Sequence, residues 1–325
     1  MNALQIGKAS LESRGGADRY YFELMDALQS FGISGSGLVL GEPGDTAERD
    51  SVATFAQEGA SIFARWQALR SRVRERLPDC DIVASHFAAY AFPVLDIIRK
   101  RPMVVHFHGS WSLESAFIHV IPGGVNMKRF RDPRSRAAAR EGLGWPVDRP
   151  IVLTVSRLVQ LKGVANMIWA IEQVRQRVPD VLLVVAGTGP HRASLARQVR
   201  ARGLSDCVKL IGHVGSDLPA VYRAADVSVV PSLALETFGL VVIESLACGT
   251  PALVTPVAGL PEVVQDLDPR LICAGTAPAE LAQRLIDVLS GGLTLPTSEQ
   301  CRSYAARFDW SIIAGRIASV YREVA

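Results

Sequence analysis

Long hydrophobic runs are missing from this chain of 325 residues: no stretch approaches the ~18 consecutive apolar residues that span a bilayer. The chain passes at once into the apolar strand Ala3-Leu-Gln-Ile-Gly7 and meets Lys8, without the basic head and apolar stretch of a secretory leader. Cysteine is sparse. Cys80, Cys207, Cys248, Cys273 and Cys301 are odd in number and scattered, which suits a reducing cytoplasm better than a disulfide framework or a metal site. No His, Cys or Asp cluster has metal-ligand spacing, so no metal is expected. The formal net charge is only +3, and no lysine-rich run or aromatic-interleaved basic stripe predicts a nucleic-acid partner. Gly7 begins no Gly-x-Gly-x-x-Gly, which disfavours dinucleotide oxidoreduction.

What is present is apolar sequence in short, repeated pieces. A hydrophobic content of 49% can fill two cores, since single domains usually run to ~100–200 residues. The first half alternates strand and helix: strand Leu4 to Gly7, helix Ala17 to Phe31 with Tyr21, Leu24, Met25 and Leu28 on one face, strand Gly37 to Leu40, helix Ala64 to Leu77. Strand Asp81 to Ser85, helix Ala89 to Arg99 and strand Met103 to Phe107 follow. A second such run begins at Pro150 and ends in helices near Ala279 and Arg302. Strands separated by helices imply right-handed parallel crossovers. The fold class is therefore α/β, with two Rossmann-like halves and a cleft between them. The last segment, Trp310 to Val324, places Ile312, Ile313, Ile317, Val320 and Tyr321 at helical spacing.

The richest segment runs from Pro231 to Pro251. Val227, Val229 and Val230 precede it as a buried strand, and Leu240 to Cys248 reads as a helix stopped by Gly249 and Pro251. Glu236 and Glu244 stand eight apart, one in the loop and one on the helix. Phe238, Gly239 and Leu240 lie at the helix mouth, where free amides meet anions beyond a strand's carboxyl end. Two acceptors and an anion hole suggest a nucleotide-sugar. Other turns repeat this plan: Gly15-Gly16, His108-Gly109, Ile121-Pro-Gly-Gly-Val125, Ser156-Arg157 with Lys162-Gly163, Gly187-Thr-Gly-Pro190, Gly212-His213-Val214 and Gly259-Leu-Pro-Glu262.

In their order and spacing these pieces resemble the retaining glycosyltransferases of family 4, whose motif is Glu-x7-Glu. The resemblance implies the GT-B fold, two Rossmann-like domains with parallel sheets facing across a cleft. An acceptor-side domain is expected over residues 1–122, a nucleotide-sugar domain over 123–305, and a last helix over 306–325 returning to the first domain. It also implies hexosyl transfer from a nucleotide-diphosphate sugar without a metal or other cofactor, UDP being slightly favoured over GDP. Arg157 and Lys162 would meet the diphosphate, Glu236 the donor sugar and Glu244 the ribose. His108, at the end of the fourth strand, would hydrogen-bond the transferred sugar or help acidify the leaving side. Gly15, Gly16, Gly187, Gly189 and His213 would line the substrates. For each residue a structural role stands beside this one: glycine serves tight turns, and paired cations can simply be solvated. A nucleotide-sugar-binding protein with little transfer, or an epimerase or phosphorylase of the same fold, is the alternative.

In the family, several dozen residues with a further strand and two helices separate the His-Gly motif from Ile-Pro-x-Gly-Val. Here Ser115-Ala-Phe117 runs almost directly into Ile118-His-Val-Ile-Pro122. Either the chain has an internal deletion, or, the preferred reading, further residues belong between Ser115 and Val120. The acceptor is expected to be a glycan, a lipid-linked sugar or a small molecule. The basic, amphipathic helix from Arg65 to Arg76 suits an anionic lipid surface or an acidic glycan, and equally a solvated face. The location expected is cytoplasmic, with peripheral contact at the inner membrane face as a further option.

Overall fold

Most apolar runs of the sequence become strands buried on both faces, the usual condition of parallel sheets. The computed structural model describes residues 1–8, 16–41, 51–57, 59–86, 88–98, 101–106, 119–236 and 238–325. They divide into two compact units, one of Met1–Gly124 with Phe308–Ala325, the other of Val125–Arg307.

In the first unit β1 (Asn2–Lys8), β2 (Ser34–Gly41), β3 (Val52–Gln57), β4 (Ile82–Ser85) and β5 (Met103–Val105) form a parallel sheet in the order β3-β2-β1-β4-β5. Strand β3 is absent from the sequence reading because its buried residues, Val52 and Phe55, lie three apart and break the period of two. Helix α1 (Gly16–Gln29) buries Tyr21, Leu24, Met25 and Leu28, the face its spacing predicts. Helix α2 (Ile62–Arg76) starts at Ser61, whose hydroxyl accepts from the Ala64 amide, and buries Leu69 and Val73. The helix expected over Ala89 to Arg99 is corrected: α3 (Ala88–Ala91) gives way to a 3-10 turn over Phe92–Val94. Pro93 causes this, since it donates no amide and its ring clashes with the preceding turn.

The second unit holds β6 (Ile151–Val155), β7 (Leu182–Ala186), β8 (Val208–Gly212), β9 (Val227–Val230) and β10 (Ala252–Val254), parallel throughout in the order β10-β9-β6-β7-β8. Two short helices, α4 (Met127–Phe130) and α5 (Arg136–Gly142), precede the sheet, capped by Asn126 and Ser135. Helices α6 (Val164–Arg175), α7 (Arg192–Ala201), α8 (Leu218–Ala224), α9 (Leu240–Ala247) and α10 (Leu260–Val264) form the crossovers. Helices α11 (Pro278–Leu289) and α12 (Ser298–Ala305) pack on α6 and α9 respectively.

The final helix, α13 (Trp310–Val324), lies in the first unit against α1. Trp310, Ile313, Ile317 and Tyr321 join Ala3, Leu24, Leu28, Ile33 and Ile82 in one core, while Ile312 points to solvent. The Trp310 indole donates to the Glu23 carboxylate at 2.5 Å, and a Cβ on Gly124 would strike its ring at 2.5 Å, so a glycine is needed there.

Candidate functional site

Strand order reverses between β6 and β9, and the crevice beyond the carboxyl ends at such a switch point is where open α/β sheets bind ligands. The loop after β6 runs from Ser156 to Gly163, and the loop after β9 from Pro231 to Gly239. They are stitched together. The Leu233 amide donates to the Leu161 carbonyl at 2.8 Å. Gly163, at φ +67°, sits so close to Pro231 that a Cβ would fall 1.8 Å from its carbonyl oxygen. Lys162 Nζ donates to Glu236 Oε2, which also accepts from Ser232 Oγ at 2.7 Å. Ser232 is held in turn, its carbonyl accepting from Thr255 Oγ1 at 2.7 Å.

Both loops end in left-handed glycines, Gly163 and Gly239, that cap α6 and α9 without any side-chain cap bond. The first amides of each helix thus have no partner inside their own helix, and their dipoles favour an anion. The turn after β7 joins the same edge: Leu158 donates to the Thr188 carbonyl at 2.8 Å, and Gly187 to Gly212 at 2.6 Å. Gly187 and Gly189 have φ of +140° and +156°, and added Cβ atoms would collide with the Ser156 and Leu158 carbonyls at 1.8 and 2.5 Å.

The structure thus gathers Arg157, Lys162, Gly187, Gly189, Glu236, Phe238, Gly239 and Leu240 at one sheet edge, with Glu244 one turn into α9. The two cations are not equivalent. Lys162 is engaged by Glu236, whereas Arg157 is exposed and its side chain has no partner among the described residues. Glu236 follows Leu235, whose φ of +54° is a strained value for a branched residue. Glu244 is only 4% exposed and accepts from the buried Tyr222 hydroxyl at 3.1 Å. His213 is exposed beyond the edge strand β8, two strands or ~10 Å from β6. Gly16 is the first residue of α1, and Gly15 and His108 lie outside the described residues, as does the join between residues 107 and 118.

Two side chains, Ser232 and Tyr222, were given no role from the sequence, and Ser156 entered only as part of the Ser156-Arg157 turn. The Ser156 hydroxyl is buried at the end of β6 with no hydrogen bond among the described residues. Its place immediately after a strand was the available signal. The same signal marks His86, which follows β4, is buried, and binds Gln5 Oε1 through Nε2 at 2.8 Å. His86 stacks on His106 at 4.5 Å, and His106 Nε2 meets the Tyr321 hydroxyl at 2.7 Å, which ties β5 to α13.

Among the described residues no group of three or more His, Cys, Asp or Glu could hold a metal ion, and no helix is long and apolar enough to cross a membrane.

Residues 135–308, more than half of the chain, match the family described as glycosyl transferases group 1, and residues 14–141 match glycosyltransferase family 4. The chain belongs to the glycosyl transferases group 1 and has the two-domain GT-B fold. It is similar to D-inositol 3-phosphate glycosyltransferase 2 of Catenulispora acidiphila, 36% identical over 63% of this chain and 50% of that protein. A GDP-mannose-dependent alpha-(1-6)-phosphatidylinositol monomannoside mannosyltransferase of Mycolicibacterium smegmatis is also 36% identical, over 54% of this chain and 48% of its own. The chain thus spans about half the length of the curated relatives it matches. Among solved structures, Anabaena HepE in complex with UDP and glucose superposes with a TM-score of 0.81 at 19% identity, covering 99% of this chain and all of that one. A glycosyltransferase from Rickettsia africae gives 0.80 at 18% identity, covering 99% and 98%.

Proposed function

We propose that this protein transfers a hexosyl group from a nucleotide-diphosphate sugar to an acceptor hydroxyl, with retention of anomeric configuration and without a metal. One observation carries the reading: at the β6/β9 switch point, two glycine-capped helix mouths stand beside Arg157 and Lys162, with Glu236 and Glu244 on the same loop and helix. Helix amides and the two cations take the diphosphate and stabilise the charge that grows as it departs. Glu244, set by Tyr222, orients the ribose, and Glu236 accepts from hydroxyls of the sugar. The bond from the anomeric carbon to the phosphate oxygen breaks as the acceptor oxygen bonds to that carbon on the same face. The leaving phosphate oxygen takes the acceptor's proton, which removes any need for an enzyme nucleophile.

The donor is a UDP-sugar before a GDP-sugar. Similar proteins supply a precedent for each, UDP with glucose in the HepE structure and GDP-mannose in the mycobacterial relative's name. The acceptor is a phosphorylated or lipid-linked polyol, met by the first unit, with peripheral contact at the inner membrane face. The experiment is a screen of UDP- and GDP-sugars for binding and turnover, repeated after exhaustive treatment with EDTA. Turnover that survives chelation is the expected result. Loss on chelation with recovery in magnesium or manganese overturns the metal-free step, and donor binding without transfer to any acceptor moves the reading to a binding protein.

A further inference from the structure

Among the described residues only two that are not glycine have a positive φ, Leu235 at +54° and Ala258 at +47°. They lie in different loops, one after β9 and the other after β10. A single hydrogen bond joins the residues that follow them: the Gly259 amide donates to the Glu236 carbonyl at 3.2 Å. Such strain persists only where the surroundings fix the backbone, and it gathers at functional sites. Side-chain packing does not fix it here, since Leu235 is 77% exposed and Ala258 is exposed as well.

The loop after β10 fixes it by gripping the Glu236 loop at its start, middle and end. At the start, the fully buried Thr255 hydroxyl donates to the Ser232 carbonyl at 2.7 Å. In the middle stands the bond from Gly259 to Glu236. At the end, Leu260 packs so tightly on Gly239 that an added Cβ would lie 2.5 Å from its Cδ2. The gripping loop is itself folded back, with the Val257 amide on the Thr255 carbonyl at 2.8 Å and the Leu260 amide on the Val257 carbonyl at 3.1 Å. Its hold reaches the carboxylate. Ser232, fixed by Thr255 through its carbonyl, donates through its own hydroxyl to Glu236 Oε2 at 2.7 Å.

We propose that Thr255 and Ala258 are positioning residues, which hold Glu236 in the orientation that meets the transferred sugar against strain that would carry Leu235 and the carboxylate away. That role rests on the transferase reading above, whereas the brace itself does not. Arg157 and Lys162 stand on the loop after β6 and Glu244 on α9, so they keep the diphosphate and ribose when the brace is loosened. Loosening it therefore slows turnover without releasing the donor. A hydroxyl that only satisfied a buried carbonyl would, when lost, cost stability and leave the rate of the folded protein alone.

The test follows release of UDP or GDP from the nucleotide-sugar that the screen above selects, together with thermal melting. Thr255→Val keeps the shape and removes the hydroxyl. Its kcat should fall about tenfold, as a displaced sugar requires, with the donor KM within about twofold of the parent's. Thr255→Ser keeps the hydroxyl and should return kcat to within about threefold of the parent's. Ala258→Val, at an exposed position whose φ a branched residue rejects, should reproduce the fall without touching the core, and it decides the case if Thr255→Val does not fold. Leu235→Gly removes the strain that the brace opposes, since glycine takes positive φ freely. The double variant Thr255→Val/Leu235→Gly should therefore recover most of the lost kcat and melting temperature.

Parent-like kcat in Thr255→Val or Ala258→Val, a rise in KM as large as the fall in kcat, no recovery in Thr255→Ser, or additive effects in the double variant overturns the proposal. If no nucleotide-sugar turns over, the transferase reading falls and melting alone decides. A loss of melting temperature in Thr255→Val or Ala258→Val that shrinks in the Leu235→Gly background keeps the brace, and an additive loss overturns it.

Discussion

The two sheets end in different materials. At the carboxyl edge of the second unit the contacts are made by backbone: glycines pressed against carbonyls, amides at helix mouths, and a few charged groups held by neighbouring loops. At the corresponding edge of the first, the contacts among the described residues include side-chain rings, with His86 stacked on His106 and Tyr20 and Tyr321 edge-on to His106. Positive φ tells the same story. Among the described residues nine glycines of the second unit adopt it, against Gly32 alone in the first. A backbone-built edge accepts few substitutions and suits groups every donor of a class shares, the diphosphate and the ribose. A side-chain edge can be rewritten residue by residue, which suits an acceptor that varies.

The sharpest way to break this comparison is to add one methyl group to each unit. Gly163→Ala places a Cβ on the Pro231 carbonyl at a positive φ, where nothing can yield without opening the switch point. We expect a loss of about 4 kcal/mol or more, seen as collapse of the second unit's transition in calorimetry. Gly32→Ala also has positive φ but open space around it, and should cost about 1 kcal/mol. Equal effects would show that packing of the two loops is not what the glycine serves.

Next in size are the groups proposed for chemistry. Lys162→Ala and Glu244→Gln should each lower kcat/KM by about two to three orders of magnitude, provided circular dichroism shows the parent's fold. Turnover like the parent's would mean the site has been misplaced.

The smallest effect is acid sensitivity. In the second unit the Arg134 and Arg270 guanidinium groups, by hydrogen bonding, hold Asp132 and Asp268 below the usual carboxylate range. A carboxylate whose folded pKa is depressed stabilises the fold above its unfolded value near ~3.9, and that share is lost as pH falls through the folded value. Each pair should account for under about 1 kcal/mol, because the arginines are exposed and water screens them. Melting temperature followed from about pH 5 down to pH 2 should fall less steeply in Asp132→Asn and Asp268→Asn than in the parent. In the first unit Arg70 pulls solvent-exposed Asp96 down to about 2, so Asp96→Asn should change that slope least of all.

Much of the second unit was legible in the sequence because its strands are short apolar runs ended by glycine turns, and each turn's residue types state what the backbone does there. The Glu236 to Glu244 segment announced a strand, a loop and a helix. Pairings made at long range did not announce themselves. Lys162 and Glu236 stand 74 residues apart, so the sequence could present Lys162 only as a free cation. The hydroxyls of Ser232 and Tyr222 carry no motif, and their value comes from which carboxylate the fold brings near. In the first unit, β3 lacked alternation and α3 was cut by Pro93, whose turn then set Phe92 in solvent.

The discontinuity of the first unit bears on how the protein is made. Residues Val125–Arg307 are contiguous, so a ribosome can release a complete second unit that folds as it emerges. The first unit is synthesised earlier but waits for Phe308–Ala325, because Trp310, Ile313, Ile317 and Tyr321 complete the core beside α1. Until then the faces of Leu24, Leu28 and Ile82 that meet α13 are uncovered, a span in which a chaperone or a protease finds the nascent chain open. A stop codon just before Trp310 would therefore injure the unit translated first and spare the one translated last.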